Sequence, residues 1–259
     1  MAKPSTSKTV DHFKDLFSGQ SKDYARFRPR YPDNLYEFLV KQVKARDAVW
    51  DCATGNGQAA FDLARHFKTV YATDASAAQI GNAQQAPNIK YSVAPAERSG
   101  LADACADLVT VAQAVHWFDR DRFFLEARRV MKPGAVIACW AYGHLTPDEP
   151  ELRRLTDKVS REILGPYWDE RARLVWDGYE TMAFPFADIK APEFYLTSSW
   201  TLPELIGYFT SHSATQAFIK AKGYHPAQPL QDEFLSFWGD PERKLEISTK
   251  LTFRAGHRS

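Results

Sequence analysis

The stretch Val49–Gln58 reads V-W-D-C-A-T-G-N-G-Q and constrains the chain more than any other. A short apolar run ends at Asp51. Two glycines follow, Gly55 and Gly57, and then a helical pattern opens with Phe61, Ala64 and Phe67 on one face. Glycine permits a tight turn and lets a ligand approach the backbone without a Cβ in the way. The helix behind such a turn presents unpaired N–H groups and the positive end of its dipole. Strand, glycine turn and helix in this order describe a nucleotide-type cofactor site at the carboxyl edge of a parallel sheet. An ordinary structural turn is the competing reading, because a bare G-x-G also occurs in turns that bind nothing.

A second β-rich run, Thr69–Thr73, ends in Asp74, 17 residues after Gly57. A carboxylate at the tip of the second strand can accept both hydroxyls of a ribose. It can equally cap the helix expected from Ser76.

The rest of the first half keeps the same rhythm. A helix is expected over 33–46, with Leu35, Phe38, Leu39 and Val43 inward. Strands are expected over 48–51, 69–73, 89–93, 107–113 and 135–142, separated by helices over 58–66, 76–85 and 120–131. Asp107–Gln113 is the nearly continuous apolar run of a strand buried on both faces. Such alternation predicts a doubly wound α/β fold with a mostly parallel sheet and right-handed crossovers. Its ligands sit outside the carboxyl ends of the strands. The residues that fall there are Gly55, Gly57, Asp74, Glu97 and the loop Gln113–Trp117.

The rhythm changes from Leu145. Helices are expected over 150–164, 202–222 and 230–237, and strands over 194–200 and 246–254. This divides the chain into an N-terminal arm over 1–32, a cofactor-binding core over 33–144, and a helical insertion with the final strands over 145–259. The arm contains S-G-Q-S-K-D-Y-A-R-F-R-P-R-Y-P, where Pro29 and Pro32 preclude a continuous helix. It is either a lid over the site or an irregular arm packed on the sheet edge.

The 259 residues carry a formal net charge of +1, so bulk charge argues against a nucleic-acid or anionic-membrane partner. No apolar run is long enough to span a bilayer, and no secretory pattern is evident. Cys52, Cys105 and Cys139 lack metal-ligand spacing and read as reduced thiols of a cytoplasmic protein without a metal site. A monomer or a homodimer is expected.

At these residues the chain resembles the class I S-adenosylmethionine-dependent methyltransferases. V-W-D-C-A-T-G-N-G resembles their glycine-rich first motif, and Y-A-T-D, ending at Asp74, their acidic second motif. A-P-A-E and D-L-V-T-V-A-Q-A-V-H-W-F-D resemble the adenine-side region and the fourth strand. The subgroup resembled is the small-molecule set that includes trans-aconitate methyltransferases, through the stretch Tyr24–Pro32 and the H-W-F of His116–Phe118. One departure is Ala53, where the motif's first glycine usually stands.

The resemblance implies S-adenosylmethionine as cofactor, a small-molecule methyl acceptor and a seven-stranded sheet closed by an antiparallel hairpin. It implies that Asp51, Gly55 and Gly57 border the methionine part and that Asp74 binds the ribose. It further implies that Ala96 and Glu97 flank the adenine and that Gln113 and Ala114 line the sulfonium region. Tyr24 and Arg28 would close from the arm. His116 either positions the acceptor or takes its proton, or is a loop histidine satisfied by backbone. Trp117, Trp140 and Tyr142 either wall the acceptor pocket or belong to the core. A nicotinamide-dependent oxidoreductase shares the glycine turn and the acid, and a non-catalytic relative that only binds a cofactor shares both; these two readings stay open.

Overall fold

The computed structural model describes residues 30–258. The expected arm residues Tyr24 and Arg28 lie outside them. In chain order the elements are α1 (Asp33–Gln42), β1 (Ala48–Cys52), α2 (Gln58–Leu63), β2 (Thr69–Asp74), α3 (Ala77–Gly81), β3 (Ile89–Val93) and β4 (Ala106–Ala112). Then come α4 (Arg120–Val130), β5 (Met131–Tyr142), α5 (Pro150–Asp157), a π-helical turn (Lys158–Ile163) and α6 (Arg173–Trp176). The chain closes with β6 (Ala187–Asp188), β7 (Tyr195–Trp200), α7 (Leu202–Thr210), α8 (Ser213–Lys222), α9 (Gln231–Trp238) and β8 (Leu245–His257).

The described residues form two compact units. The larger comprises 30–143, 171–195 and 250–258, and the smaller 144–170 and 196–249.

The larger unit carries the parallel sheet. The strand order is β3-β2-β1-β4-β5-β8-β6, with β7 also paired to β8. β1 pairs in parallel with β2 and with β4, so the order reverses between β1 and β4. That reversal opens a crevice at the carboxyl edge, where the connections leave in opposite directions. β8 runs antiparallel to β5. The expected sheet architecture is present, with the two-residue β6 as an eighth strand that the sequence pattern does not signal.

The central strands are apolar on both faces because helices cover both. On one face Trp50, Val109, Val111, Ile137 and Cys139 pack with Phe123, Phe124 and Ala127 of α4 and with Met182 and Phe186. Burying each large side chain of this kind contributes about 1.5–3 kcal/mol. Trp50 is fully buried, and its indole N–H donates to the Thr73 hydroxyl at 2.9 Å, so no donor is stranded. At the amino edge, Asp107 accepts the backbone N–H groups of Asp47 and Ala48 at 2.9 and 3.0 Å and the Lys132 ammonium at 2.7 Å. This fixes the register of β1 against β4 at the end away from the glycine turn. Gly256 sits in β8 where a Cβ would come within 2.8 Å of Phe184 and Phe186. Glycine there lets the aromatic segment cross close to the strand.

The smaller unit is mostly helical. The expected helix over 202–222 is two helices, with Ser211 and His212 between them. The Thr210 and Ser211 hydroxyls bond back to the carbonyls of Ile206 and Tyr208 at 2.7 and 2.6 Å, and His212 is extended. Hydroxyls that satisfy carbonyls in this way compete with helix continuation. The expected helix over 150–164 turns π-helical from Lys158, and the Trp168 indole N–H donates to the Ser160 carbonyl of that turn at 2.8 Å.

Candidate active site

The glycine turn leaves β1 and enters α2 at the carboxyl edge of the sheet. Gly55 and Gly57 both have left-handed backbone, with φ of 59° and 81°. The two glycines serve different needs. A Cβ built on Gly55 would meet nothing within 4 Å, so the space above it is open to a ligand. A Cβ on Gly57 would lie 2.2 Å from the Tyr91 hydroxyl, so this glycine admits the side chain arriving from β3. Ala53 also adopts a left-handed conformation, φ 54°. It holds the glycine-type backbone without being glycine, at a cost of about 1–2 kcal/mol.

Asp51 lies beneath the turn and is 1 % exposed. One carboxylate oxygen accepts the Thr54 hydroxyl at 2.6 Å and the other the Thr110 hydroxyl at 2.8 Å. Burial raises its pKa from an ordinary value near 3.8 to about 6, against the opposing effect of these hydrogen bonds. Asp51 therefore ties β1, the turn and β4 together from below. Thr54 in the turn and Thr110 in β4, which both bond to it, are absent from the sequence-derived set, because a lone threonine carries no signal of its own.

Asp74 stands at the tip of β2. Its Oδ2 accepts the Gly55 N–H at 2.9 Å and its Oδ1 the Ser76 N–H at 2.8 Å. The helix cap is Ser76 itself, whose hydroxyl accepts the Gln79 N–H. Asp74 thus bridges the glycine turn and the α3 entry. An ionised carboxylate has about four lone-pair sites, and two are taken here.

Ala96 is buried in the core face of the sheet. Glu97 accepts the Asp119 N–H at 3.0 Å, which links the loop after β3 to the loop after β4. Asp119 in turn caps α4 by accepting the Arg122 N–H. Gln113 has φ 60°, an uncommon conformation for a non-glycine residue. Its backbone N–H donates to the Trp140 carbonyl at 2.8 Å and its side-chain amide to the Tyr142 carbonyl at 3.4 Å. Ala114 is buried beside it, and the 3-10 turn Val115–Trp117 follows. His116 is buried, with its ring 4.9 Å from that of Trp117. Trp117 is 45 % exposed. Trp140 is fully buried, with Tyr31 edge-on at 5.6 Å, and Tyr31 also lies 6.4 Å from Tyr142.

The carboxyl edge therefore joins Gly55 to Asp74 by a hydrogen bond, Glu97 to the loop after β4, and Gln113 to β5. A sequence model described as a methyltransferase domain matches residues 50–139, which span Gly55, Asp74, Glu97 and Gln113. A candidate methyltransferase of Dictyostelium discoideum is 33% identical over 216 residues, covering 82% of this chain and 82% of that protein. This chain belongs to the class I S-adenosylmethionine-dependent methyltransferases. A solved structure of a candidate type II methyltransferase from Anaeromyxobacter dehalogenans is similar over 89% of this chain and 97% of its own, with 39% identity and a TM-score of 0.84. A candidate S-adenosylmethionine-dependent methyltransferase of Saccharomyces cerevisiae is 28% identical over 174 residues, 62% of this chain and 59% of that protein. Membership makes the chain an enzyme of methyl transfer and implies that it binds S-adenosylmethionine. No helix among the described residues is long and apolar enough to cross a membrane.

Proposed function

We propose that this methyltransferase acts on a small-molecule acceptor, with carboxylic acids the first class to test, after the trans-aconitate-type relatives its sequence resembles. The observation that carries the cofactor side of this reading is Asp74, which holds the Gly55 amide while keeping lone pairs for a ribose. Open space above Gly55 and the left-handed turn fit the same group.

S-adenosylmethionine, when bound, supplies a methyl group on a positively charged sulfur. Asp74 binds the ribose hydroxyls. Ala96 and Glu97 flank the adenine. Gly55 and Gly57 border the methionine part, with Asp51 holding their turn from below. Gln113 and Ala114 line the reacting end, and Tyr24 and Arg28 contribute further cofactor contacts. His116 and Trp117 face the acceptor. Aligning the acceptor and excluding water accounts for about 7–11 kcal/mol of barrier lowering in well-oriented systems. A carboxylate already carries the lone pair it needs, so none of these residues has to remove a proton from it. A phenol or an amine would require a base, and His116 is the histidine of the site loop.

Calorimetric titration with S-adenosylhomocysteine, with NADH and NADPH in parallel, tests the cofactor. Micromolar binding of the first and none of the nicotinamides is expected. Binding of a nicotinamide alone, or of none of the three, would overturn the reading.

A further inference from the structure

Gly57 is the N-cap of α2, and its backbone is left-handed with φ 81°. A Cβ built there would lie 2.2 Å from the Tyr91 hydroxyl oxygen and 3.1 Å from the ring carbon that carries it. The space beside Gly57 is therefore taken by this chain's own side chain, whereas the space beside Gly55 is open.

The register of the sheet brings Tyr91 to the turn. Tyr91 pairs with Ala72, Ala72 with Asp51, and Asp51 with Thr110. Side chains alternate between the two faces along a strand, and residues paired across parallel strands share a face. These four thus form one row across β3, β2, β1 and β4 beneath the glycine turn. The Asp51 carboxylate in that row holds Thr54 and Thr110. Ala72 is buried and small, which leaves the long Tyr91 side chain room to reach from β3 to the turn.

The Tyr91 hydroxyl donates to the Gln84 carbonyl. Gln84 in turn donates its backbone N–H at 3.0 Å to the carbonyl of Asn56, which stands between the two glycines. Burial pushes the Tyr91 phenol up to about 12, so it keeps its proton and remains a donor at neutral pH. The turn is held from below by Asp51, from β2 by Asp74, and from β3 by Tyr91 through Gln84. A turn fixed before its ligand arrives loses less conformational freedom on binding.

We propose that Tyr91 is a positioning residue for the cofactor: its hydroxyl fills the space left by the absent Cβ of Gly57 and locks the glycine turn through Gln84 and Asn56. This rests on the reading of the turn as the S-adenosylmethionine site. It assigns the missing side chain at Gly57 to Tyr91, and leaves close approach of the ligand to Gly55.

The test titrates the full chain calorimetrically with S-adenosylhomocysteine, at a temperature where every variant is folded. The variants are Tyr91→Phe, Tyr91→Leu, Gly57→Ala, and Gly57→Ala combined with Tyr91→Leu. Ile89→Val, at a buried position of β3, controls for a loss of stability in the same strand. Tyr91→Phe weakens binding roughly three- to tenfold, the scale of one hydrogen bond. Gly57→Ala weakens it more. In the Tyr91→Leu chain the same Gly57→Ala change costs at least about threefold less, because no ring is displaced and only the left-handed strain remains. Ile89→Val lowers the melting temperature and leaves the affinity unchanged. Without ligand, the Gln84 amide exchanges faster with solvent in Tyr91→Phe than in the unaltered chain. Unchanged affinity in Tyr91→Phe overturns the proposal. So does an equal cost of Gly57→Ala in both backgrounds, which would mean that its Cβ meets the ligand and not Tyr91. An equal loss of affinity in Ile89→Val would reduce the effect to the stability of β3 and overturn it as well. Failure of the unaltered chain to bind S-adenosylhomocysteine would instead strike the functional reading beneath it, and an unchanged Gln84 exchange rate in Tyr91→Phe overturns the lock in either case.

Discussion

Asp51 is an ionisable residue in a central strand, buried with two threonine hydroxyls and the Ala60 backbone N–H on its carboxylate. Folding raises its pKa to about 6, so the fold disfavours its ionised form. The stability linked to this group is fully present below the unfolded value near 3.8 and is lost as pH rises through about 6. A shift of this size corresponds to about 3 kcal/mol. Asp51→Asn should therefore raise the unfolding free energy at pH 8 by roughly 1–3 kcal/mol and flatten its dependence between pH 4 and 7. Denaturant melts at pH 4, 6 and 8 check this, and a variant less stable at pH 8 would show that the carboxylate is needed ionised. Asp51 and Asp74 are legible in the sequence as acids at strand ends, but their division of labour is not. It depends on which side of the turn each carboxylate meets, and that is decided by the pairing of β1 with both β2 and β4. Ala53 is legible as a departure from the glycine motif, and its backbone shows that the position keeps the conformation the motif demands.

The strands and the helices that precede and follow them are legible because they are periodic and local. Helix α4 is the clearest case, with Asp119 as its cap and Phe123, Phe124, Ala127 and Val130 buried. A polar network on the same helix is not legible. Glu126 is nearly buried and accepts the Ser99 N–H and hydroxyl at 2.7 and 2.6 Å and two Arg129 guanidinium N–H groups at 2.8 Å. These bonds join α4 to the loop between β3 and β4 across 27 positions of sequence, a separation no local pattern reports. The Arg129 hydrogen bond, helped by those from Ser99, pulls the Glu126 pKa down to about 2. Its contribution is present above the ordinary value of 4.5 and is lost as pH falls toward 2. Glu126→Gln should destabilise the protein by about 1–3 kcal/mol at neutral pH, since a buried N–H and a guanidinium lose their charged partner. It should also weaken the fall in stability between pH 4.5 and 2. An unchanged acid limb in a pH series of melts would contradict this. The helices the sequence pattern misjudges fail for similar reasons. Thr210 and Ser211 look helix-compatible by spacing, and only their back-bonded hydroxyls end α7.

Across the whole molecule, strand–helix alternation makes the parallel sheet and its switch point readable. The final strand is signalled by the alternation over 246–254, but the return of residues 171–195 to the larger unit leaves no periodic trace, because it rests on contacts such as Thr252 with Val175 and Arg254 with Asp188. The cofactor edge depends on several separate loops held together, so ligand binding and global stability are linked. A ligand that binds only the folded chain adds about 2.7 kcal/mol at one hundred times its dissociation constant, and for a chain of this size the melting temperature should rise by roughly 5–10 °C. Asp74→Asn separates the two roles of that residue. An amide side chain cannot accept from both Gly55 and Ser76, so the unliganded melt should fall by a few degrees, as it should in Ser76→Ala, which removes the α3 cap. Only Asp74→Asn should also lose most of the shift produced by S-adenosylhomocysteine, because the ribose loses its charged partner. A full ligand-induced shift in Asp74→Asn would leave Asp74 as a structural bridge between the turn and α3, and would move the ribose site to another residue of the edge.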